Sequence, residues 1–353
     1  MKIGVIAPLY YPIPPKTYGG TESVIYSLVE GLVKDKQDVT LFACKGSSVS
    51  AKIYPKWNKQ LDITKGSEES RKYQQDRLEH IISISKDFDI LHNNDGILPI
   101  LNEKRFNCPL ITTWHSPFSQ YLVDHPEEVP AIESTTFVSI SDSQRKGLPK
   151  GKFIATVYNG TVDFNDYKLG RGGETLAWIG RFNISKGVVD AIKIALQAKK
   201  KLILAGSITS KKQIDYFNSK IKNQIDHKNI EFVGEANVEQ KNKILGSSCA
   251  FLMPIHWEEP FGLVMIEAMA CGTPVIAYDR GSVPEIIEDG KNGYIVEEND
   301  KNGMVNAIKN IAKIDRKYCR ESVKKRFSIE KMVGGYEKVY EKVIKEYENN
   351  KRG

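Results

Sequence analysis

Short apolar runs alternate with helical patterns along the whole chain, and this alternation restarts once. Strands are predicted in the first half at Lys2–Ala7, Val39–Ala43, Ile90–Asn93, Leu110–Trp114, Thr136–Ile140 and Phe153–Val157. In the second half they are predicted at Leu176–Ile179, Leu202–Ala205, Ile230–Val233, Ala250–Met253, Pro274–Ala277 and Tyr294–Val296. Helical patterns lie between the strands, for example at Glu22–Lys34, Val188–Lys199, Lys211–Ile225 and Leu263–Ala270. Because the runs are apolar nearly end to end, they predict buried parallel strands in two doubly wound α/β sheets.

The restart divides the chain into two domains. We predict a first domain over residues 1–160, a second over 161–330, and a helical segment over 331–353 that packs back across the domains. The glycine-rich stretch Lys168–Gly173 is predicted as the linker. Two doubly wound domains joined by a hinge are expected to enclose a cleft, and ligands of such sheets bind at the carboxyl ends of the strands.

The composition is typical of a globular protein without a membrane span. Of the 353 residues, 41% are hydrophobic and 27% are charged. No apolar run approaches the roughly 20 residues that cross a bilayer. The chain opens with a predicted strand where a signal peptide would stand, and its five cysteines include no CxxC pair. These features predict a cytoplasmic protein with reduced thiols.

The net charge of +7 is concentrated near the C-terminus. Residues 313–353 hold 13 Lys and Arg against 7 Asp and Glu, whereas residues 1–160 hold 19 against 18. A solvated helical face is the commoner use of such a segment. The alternative is a weak contact with an anionic surface at the inner face of the membrane. Nucleic acid is not predicted as a partner, because the basic residues are not interleaved with exposed aromatic ones.

Two glutamates eight residues apart, Glu259 and Glu267, mark the strongest candidate site. Pro260 disfavours helix at Glu259, so this carboxylate is predicted in a loop. Glu267 lies about a turn and a half inside a helix that is predicted to begin at Gly262. That helix is otherwise apolar, so Glu267 needs a hydrogen-bonding partner from elsewhere in the protein or from a ligand. The two carboxylates and the helix-start amides of Phe261–Leu263 are predicted to face one polar ligand.

Two loops at predicted strand ends carry groups that suit an anionic ligand. Arg181 and Lys186 flank a tight loop before a helix, an arrangement that can bind a diphosphate without a metal; solvated side chains are the alternative. Gly19 and Gly20 stand at another helix start, where backbone amides can approach an anion. The alternative there is a Pro/Gly-rich loop that ends in a Thr21 helix cap.

The histidines do not predict a metal site. His115 follows a strand, where it is either a packed histidine or a site group, and the other five histidines show no paired ligand spacing. The segment Asp87-Phe88-Asp89 spells DxD but precedes a strand, so it is predicted to be a helix-to-strand joint. We therefore predict no metal and no cofactor.

Together these motifs resemble the retaining GT-B glycosyltransferases of family 4, the glycosyl transferases of group 1. Glu259 and Glu267 match the E-x7-E pattern of that family, within a similar run from Glu258 to Ala277. Similar segments also include a phosphate-binding loop at Gly180–Gly187, an interdomain motif at Asn159–Asp163 and a glycine loop at Pro15–Glu22. The resemblance covers nearly the whole chain. It implies a GT-B fold, in which two Rossmann-like domains face each other across a cleft.

The resemblance also implies roles for individual residues. The catalytic residues would be His115, beside the transferred sugar, and Glu259, against the hydroxyls of that sugar. The donor-binding residues would be Gly19, Gly20, Arg181, Lys186, Ala236, Phe261, Gly262, Leu263 and Glu267. Among these, Arg181 and Lys186 would neutralise the diphosphate, Glu267 would bind the ribose hydroxyls, and the loop around Ala236 would hold the base. Gly19 and Gly20 would approach the phosphate or the sugar.

The implied reaction is the retaining, metal-independent transfer of a hexose from a nucleotide-diphosphate sugar to a glycan, lipid-linked or small glycoside acceptor. A UDP-sugar is our first expectation for the donor, and GDP-mannose is the second. The alternatives are a sugar-nucleotide epimerase or a phosphorylase of the same fold, and a non-catalytic two-domain sugar-binding protein. The region from Asn58 to Glu79 is polar and poorly patterned in the acceptor-side domain, so the acceptor class does not carry over.

Overall fold

Two α/β units make up the computed structural model, which describes residues 1–16, 19–54, 56–57, 59–61 and 67–352. Unit 1 comprises Met1–Thr161 and Ile329–Gly353, and unit 2 comprises Val162–Ser328. The predicted linker, Lys168–Gly173, lies inside unit 2. There the Gly170 amide donates to the Cys271 carbonyl at 2.9 Å, and the Gly172 amide donates to the Gly246 carbonyl at 2.9 Å. The backbone of the predicted hinge is therefore hydrogen-bonded within unit 2. The chain passes between the units at 161–162 and 328–329 instead.

Unit 1 is built on a parallel sheet with the strand order β3-β2-β1-β4-β5-β6-β7. Its strands are β1 (Lys2–Ile6), β2 (Asp38–Phe42), β3 (Lys52–Ile53), β4 (Ile90–Asn93), β5 (Leu110–Thr113), β6 (Thr136–Ser139) and β7 (Lys152–Thr156). Its helices before the C-terminal one are α1 (Gly20–Lys34), α2 (Glu68–Ile84), α3 (Ile97–Leu101), α4 (Phe118–Asp124), α5 (Val129–Ser134) and α6 (Asp142–Lys146). Single 3₁₀ turns occur at Ser85–Asp87, Glu103–Arg105 and Pro126–Glu128.

Unit 2 repeats the pattern on a parallel sheet with the order β10-β9-β8-β11-β12-β13. Its strands are β8 (Thr175–Ile179), β9 (Leu202–Ala205), β10 (Ile230–Phe232), β11 (Ser248–Met253), β12 (Val275–Tyr278) and β13 (Gly293–Val296). Its helices are α7 (Val188–Gln197), α8 (Lys211–Lys220), α9 (Val238–Gly246), α10 (Leu263–Ala270), α11 (Val283–Ile286), α12 (Lys301–Asn310) and α13 (Arg316–Arg326). Single 3₁₀ turns occur at Ile184–Lys186, Lys222–Gln224 and Ile311–Lys313.

Both sheets reverse their strand order at one place, between β1 and β4 in unit 1 and between β8 and β11 in unit 2. Loops on the two sides of such a reversal diverge to opposite faces of the sheet, which leaves a crevice at the carboxyl ends of the strands. In unit 2 the loop after β8 contains Arg181 and Lys186, and the loop after β11 contains Glu259. The two main predicted motifs of this unit therefore lie at its switch point.

The C-terminal helix, α14 (Ile329–Arg352), belongs to unit 1. The ring of buried His92 in β4 bonds through Nδ1 to the Tyr340 hydroxyl and through Nε2 to the Thr113 hydroxyl, both at 2.8 Å. The Thr113 hydroxyl also lies 2.9 Å from the Tyr336 hydroxyl. Burial lowers the pKa of His92 to about 3. A buried polar network thus joins α14 to the middle of the unit 1 sheet.

The arginines of α13 bind backbone rather than facing solvent. Arg316 donates to the carbonyls of Ser248 at 3.0 Å and of Gly246 at 3.2 Å. Arg320 donates to the Phe164 carbonyl at 3.1 Å, and Arg326 donates to the carbonyl of Ile286 at 3.2 Å. Part of the positive charge near the C-terminus is therefore used inside unit 2, and the predicted membrane contact would rest on the remaining basic residues. Among the described helices, none is both long and apolar enough to cross a bilayer.

The region from Asn58 to Glu79, predicted without a pattern, contains most of helix α2. Ser67 caps this helix by accepting from the Ser70 amide at 3.1 Å. Residues 58 and 62–66 of the region lie outside the described part of the chain. The first turns of α2 carry no apolar stripe, and its buried residues, among them Leu78 and Ile81, come near its end. The short edge strand β3 was also not predicted.

Candidate functional site

The loop between β8 and α7 is held in a defined shape by its own side chains. Asn183 Oδ1 accepts from the Lys186 amide at 3.1 Å and from the Ser185 hydroxyl at 2.9 Å, which closes the turn. Gly187 then adopts the left-handed conformation with φ of 67°, and a Cβ built there would overlap the Pro254 carbonyl. Only glycine fits this position. The loop thus fixes the backbone that carries Lys186 directly ahead of the amino end of α7.

Lys186 and Glu259 form one ion pair. Lys186 Nζ lies 2.6 Å from Glu259 Oε2, and the Trp257 indole N–H donates to the same oxygen at 3.0 Å. The Lys186 ammonium also lies 4.1 Å from the centre of the Trp257 ring, within the range of a cation–π contact. The side chains are 18% and 8% exposed, so the pair is largely shielded yet reachable. The sequence predicts both residues at the site; it does not predict their direct contact, or Trp257.

The turn between Glu259 and α10 is shaped by glycine and by bonds to Ser282. Gly262 has a φ of 81° and caps α10, so the helix has the bounds of the predicted pattern Leu263–Ala270, and Gly262 precedes its first residue. The Ser282 amide donates to the Glu259 carbonyl at 2.9 Å, and its hydroxyl donates to the Phe261 carbonyl at 2.8 Å. The Phe261 ring is buried, so its contribution to a ligand would come from the backbone. The loop that carries Glu259 of the ion pair therefore leads directly into the amino end of α10. The free amides and the dipole at a helix amino end favour an anion or a polar oxygen.

Glu267 has a protein partner that the sequence does not indicate. Lys241 on α9 lies 3.0 Å from Glu267 Oε1 and 3.1 Å from Oε2. Burial, and after it the negative charge of Glu267, raises the pKa of Tyr167. Ala236 is buried in the loop before α9, between Gly234 and the Asn237 cap. Lys241 was missed because it is 26 residues from Glu267 and belongs to no motif.

The glycine pair of unit 1 begins α1, as predicted. Gly19 is the cap residue with φ of 155°, Gly20 is the first helical residue, and Thr21 lies inside the helix, so the alternative of a Thr21 cap is wrong. A Cβ at Gly19 would lie 2.9 Å from a carboxylate oxygen of Glu22. Glu22 is buried, and burial raises its pKa. Thr17 and Tyr18 of this loop lie outside the described residues. A carboxyl group at this helix start suits a neutral hydroxyl better than a phosphate.

His115 follows β5 and is bonded to Asn94, which follows β4. His115 Nε2 lies 2.8 Å from Asn94 Oδ1, and the Asn94 amide nitrogen lies 3.4 Å from the His92 carbonyl. Because an amide oxygen only accepts, Nε2 carries the ring hydrogen and Nδ1 is an acceptor. Burial lowers the His115 pKa to about 4. Asn94 was not predicted, although its place at the end of the strand beside β5 is a usable signal.

The described residues include one group that could hold a metal, namely His125, Glu127 and Glu128. His125 Nδ1 and Glu127 Oε1 lie 3.7 Å apart, with side chains 45% and 69% exposed. Glu128 accepts from the Tyr121 hydroxyl at 2.6 Å, and the His125 ring lies 4.5 Å from the Tyr121 ring. Tyr121 thus contacts two of these three side chains, those of Glu128 and His125. Asp87 and Asp89 lie between α2 and β4, at the predicted helix-to-strand joint.

Family models match both units. The model described as Glycosyl transferases group 1 matches residues 161–326, and the model described as Glycosyltransferase Family 4 matches residues 18–149. A relative from Methanocaldococcus jannaschii, the uncharacterized glycosyltransferase MJ1178, is 30% identical over 284 residues, which cover 73% of this chain and 77% of the relative.

Solved structures match almost the full length of the chain. Sucrose-phosphate synthase from Thermosynechococcus elongatus has a TM-score of 0.79 at 19% identity and covers 97% of this chain and 98% of that one. Anabaena HepE, solved in complex with UDP and glucose, has a TM-score of 0.74 at 15% identity and covers 97% and 100%. At these identities the likeness shows the fold alone, and it confirms the predicted two-domain, Rossmann-like GT-B fold.

Proposed function

Because this chain belongs to the group 1 glycosyltransferases of family 4 and is therefore a sugar-transferring enzyme, we propose that it moves a hexose from a nucleotide-diphosphate sugar. The proposed acceptor is a glycan, a lipid-linked sugar or a small glycoside, and the proposed transfer is retaining and metal-independent. The observation that carries the donor proposal is the Lys186–Glu259 pair at the unit 2 switch point, on the loops that precede α7 and α10. Family membership sets aside the non-catalytic alternative.

Lys186 suits the diphosphate of the donor. Its ammonium has three donors, and the contact with Glu259 uses one of them. The others are proposed to bind phosphate oxygens, with help from Arg181 and from the amino end of α7. Charge grows on the diphosphate as it departs, so fixed cations and helix amides stabilise the transition state more than the ground state.

Glu259 suits the sugar as a hydrogen-bond acceptor rather than as a nucleophile. Its Oε2 already accepts from Lys186 and Trp257, which holds the carboxylate in one orientation. We propose that its remaining lone pairs accept hydroxyls of the transferred sugar. In the proposed reaction the bond from the anomeric carbon to the diphosphate oxygen breaks, and the acceptor oxygen bonds to the same face. The acceptor proton passes to the departing phosphate oxygen.

In unit 1, we propose that His115 accepts a hydrogen bond from a sugar hydroxyl through its unprotonated Nδ1. Its lowered pKa, about 4, keeps the ring neutral at physiological pH. The buried Glu22 beside Gly19 favours the sugar over the phosphate as the ligand of the glycine loop.

The donor is tested first by thermal unfolding in the presence of UDP, GDP and ADP. A ligand at 100 times its dissociation constant should add about 2.7 kcal/mol to the free energy of unfolding. UDP is the first candidate because HepE, a neighbour in fold, was solved with UDP-glucose, and GDP, for GDP-mannose, is the second. The sugar conjugates of the stabilising nucleotide are then assayed for transfer to glycan and lipid-linked acceptors.

The site assignment is tested with Lys186→Met, which should weaken nucleotide binding by about 30-fold, the effect of losing a charged hydrogen-bond donor. Lys193→Met is the matched control, because Lys193 is an exposed lysine on α7. Binding that is equal in the two variants would contradict the assignment. Absence of stabilisation by any of the nucleotides in the wild type would contradict the proposed function itself.

A further inference from the structure

The carboxylate of Glu267 is held by a lysine. Lys241 contacts both of its oxygens, at 3.0 and 3.1 Å. A carboxylate offers about four acceptor positions, and these contacts use two of them. A ribose hydroxyl that is bound by Glu267 therefore also lies beside the Lys241 ammonium.

Lys241 has the donor that the diol needs. Two of its three ammonium hydrogens face the two oxygens of Glu267, and the third remains for another acceptor. The Lys241 side chain is 20% exposed, so the ammonium is not sealed in the core. It stands on the first turns of α9, just after the loop of Ala236 that is proposed to hold the base. A hydroxyl oxygen of the nucleoside is an acceptor of the required kind.

We propose that Lys241 is a nucleoside-binding residue of this enzyme and that it recognises the ribose diol jointly with Glu267. Glu267 accepts the hydrogen of one hydroxyl, and Lys241 donates to the oxygen of the other. This inference rests on the proposed function, since it takes Glu267 as the ribose anchor. The ion pair then does more than neutralise a buried carboxylate, because its two charges bind the two hydroxyls with opposite hydrogen-bond polarity.

The test is calorimetric titration of the full chain with whichever of UDP, GDP and ADP binds the wild type most tightly, and with its 2′-deoxy and 3′-deoxy forms. Lys241→Met should weaken binding of the ribonucleotide about tenfold, as expected for one hydrogen bond. With one of the two deoxy forms, the variant and the wild type should bind within about twofold of each other, because the partner hydroxyl is already gone. The other deoxy form should still show the full loss.

Lys243→Met is the matched control, since Lys243 is an exposed lysine on the same helix, and it should leave all three affinities unchanged. If Lys241→Met does not fold, Lys241→Leu serves instead, because its side chain also lacks an N–H donor. The same losses are expected of it.

Equal weakening of all three nucleotides would overturn the proposal, since a charge or packing effect does not depend on one hydroxyl. Unchanged ribonucleotide affinity in the variant that lacks the donor, Lys241→Met or Lys241→Leu, would also overturn it. Failure of the wild type to bind any of the three nucleoside diphosphates would instead contradict the proposed function. The two failures are therefore distinguishable.

Discussion

Replacing His92 should remove a pH-dependent loss of stability from unit 1. The ring is fully buried and bonded to Tyr340 and Thr113, and burial lowers its pKa to about 3. In the unfolded chain a histidine has a pKa of about 6.5. Because the folded pKa is the lower one, the unfolded state binds the proton first as the pH falls. Stability is therefore intact above about pH 6.5 and is lost progressively below it, down to the folded pKa.

The magnitude follows from that gap. Each pH unit between the two pKa values costs about 1.4 kcal/mol, so His92 should account for a loss of about 2 kcal/mol between pH 7 and pH 5. The number is insensitive to the folded pKa provided that this stays well below 5. Asp95, whose pKa burial raises to about 6, acts in the opposite direction. That contribution is common to the wild type and the variant, so the comparison between them removes it.

The perturbation is His92→Gln, whose amide can still bond to the hydroxyls of Tyr340 and Thr113. Urea unfolding at pH 7 and pH 5 is followed by hydrogen–deuterium exchange with mass spectrometry, which reports peptides of β4, β5 and α14 separately from unit 2. The wild type should lose about 2 kcal/mol more than the variant between the two pH values. The same replacement at His125, whose side chain is 45% exposed, is the control for losing a histidine outside the buried network. An equal loss in wild type and His92→Gln would refute the reasoning.

Three further predictions concern the site. Gly187→Ala should destabilise unit 2 by about 3 kcal/mol in urea unfolding, because the new side chain strains the left-handed backbone and overlaps Pro254. Gly290 is also left-handed but lies in open space, so Gly290→Ala should cost only about 1 kcal/mol. Equal costs for the two variants would contradict this prediction. Asn94→Asp places a carboxylate against His115 and should raise the pKa of His115 above about 4. The acid limb of the rate–pH profile should therefore shift to higher pH, and an unshifted limb would argue against the contact. Treatment with EDTA should leave transfer intact, and a loss that a divalent ion restores would disprove metal independence.

The sequence predicts the parallel strands well because each is a short, nearly continuous apolar run. β4 and β9 have the predicted bounds, and the other predicted strands differ by one or two residues at their ends. Local chemistry also predicts the Glu259 loop, since Pro260 and Gly262 act on the backbone next to them. Helix α2 was not predicted, because its first turns are polar and show no helical pattern of apolar residues.

Contacts between residues that are far apart in the sequence could not be predicted from local patterns. Lys241 and Glu267 meet only because α9 and α10 are neighbours in the folded unit 2, and Asn94 meets His115 only because β4 pairs with β5. The predicted linker failed for a related reason. Its glycines suggest flexibility, but Gly170 is a glycine because a side chain there would overlap Gly246.

The return of α14 to unit 1 affects how the protein is made. During translation, all of 162–328 leaves the ribosome before α14 does, so unit 2 can complete its sheet while unit 1 is still missing a helix. Until α14 has emerged, His92 and Thr113 of the nascent first unit lack their tyrosine partners. A chain without α14 would thus keep the Lys186 loop of unit 2 and lose the tyrosine hydroxyls that bond to His92 and Thr113.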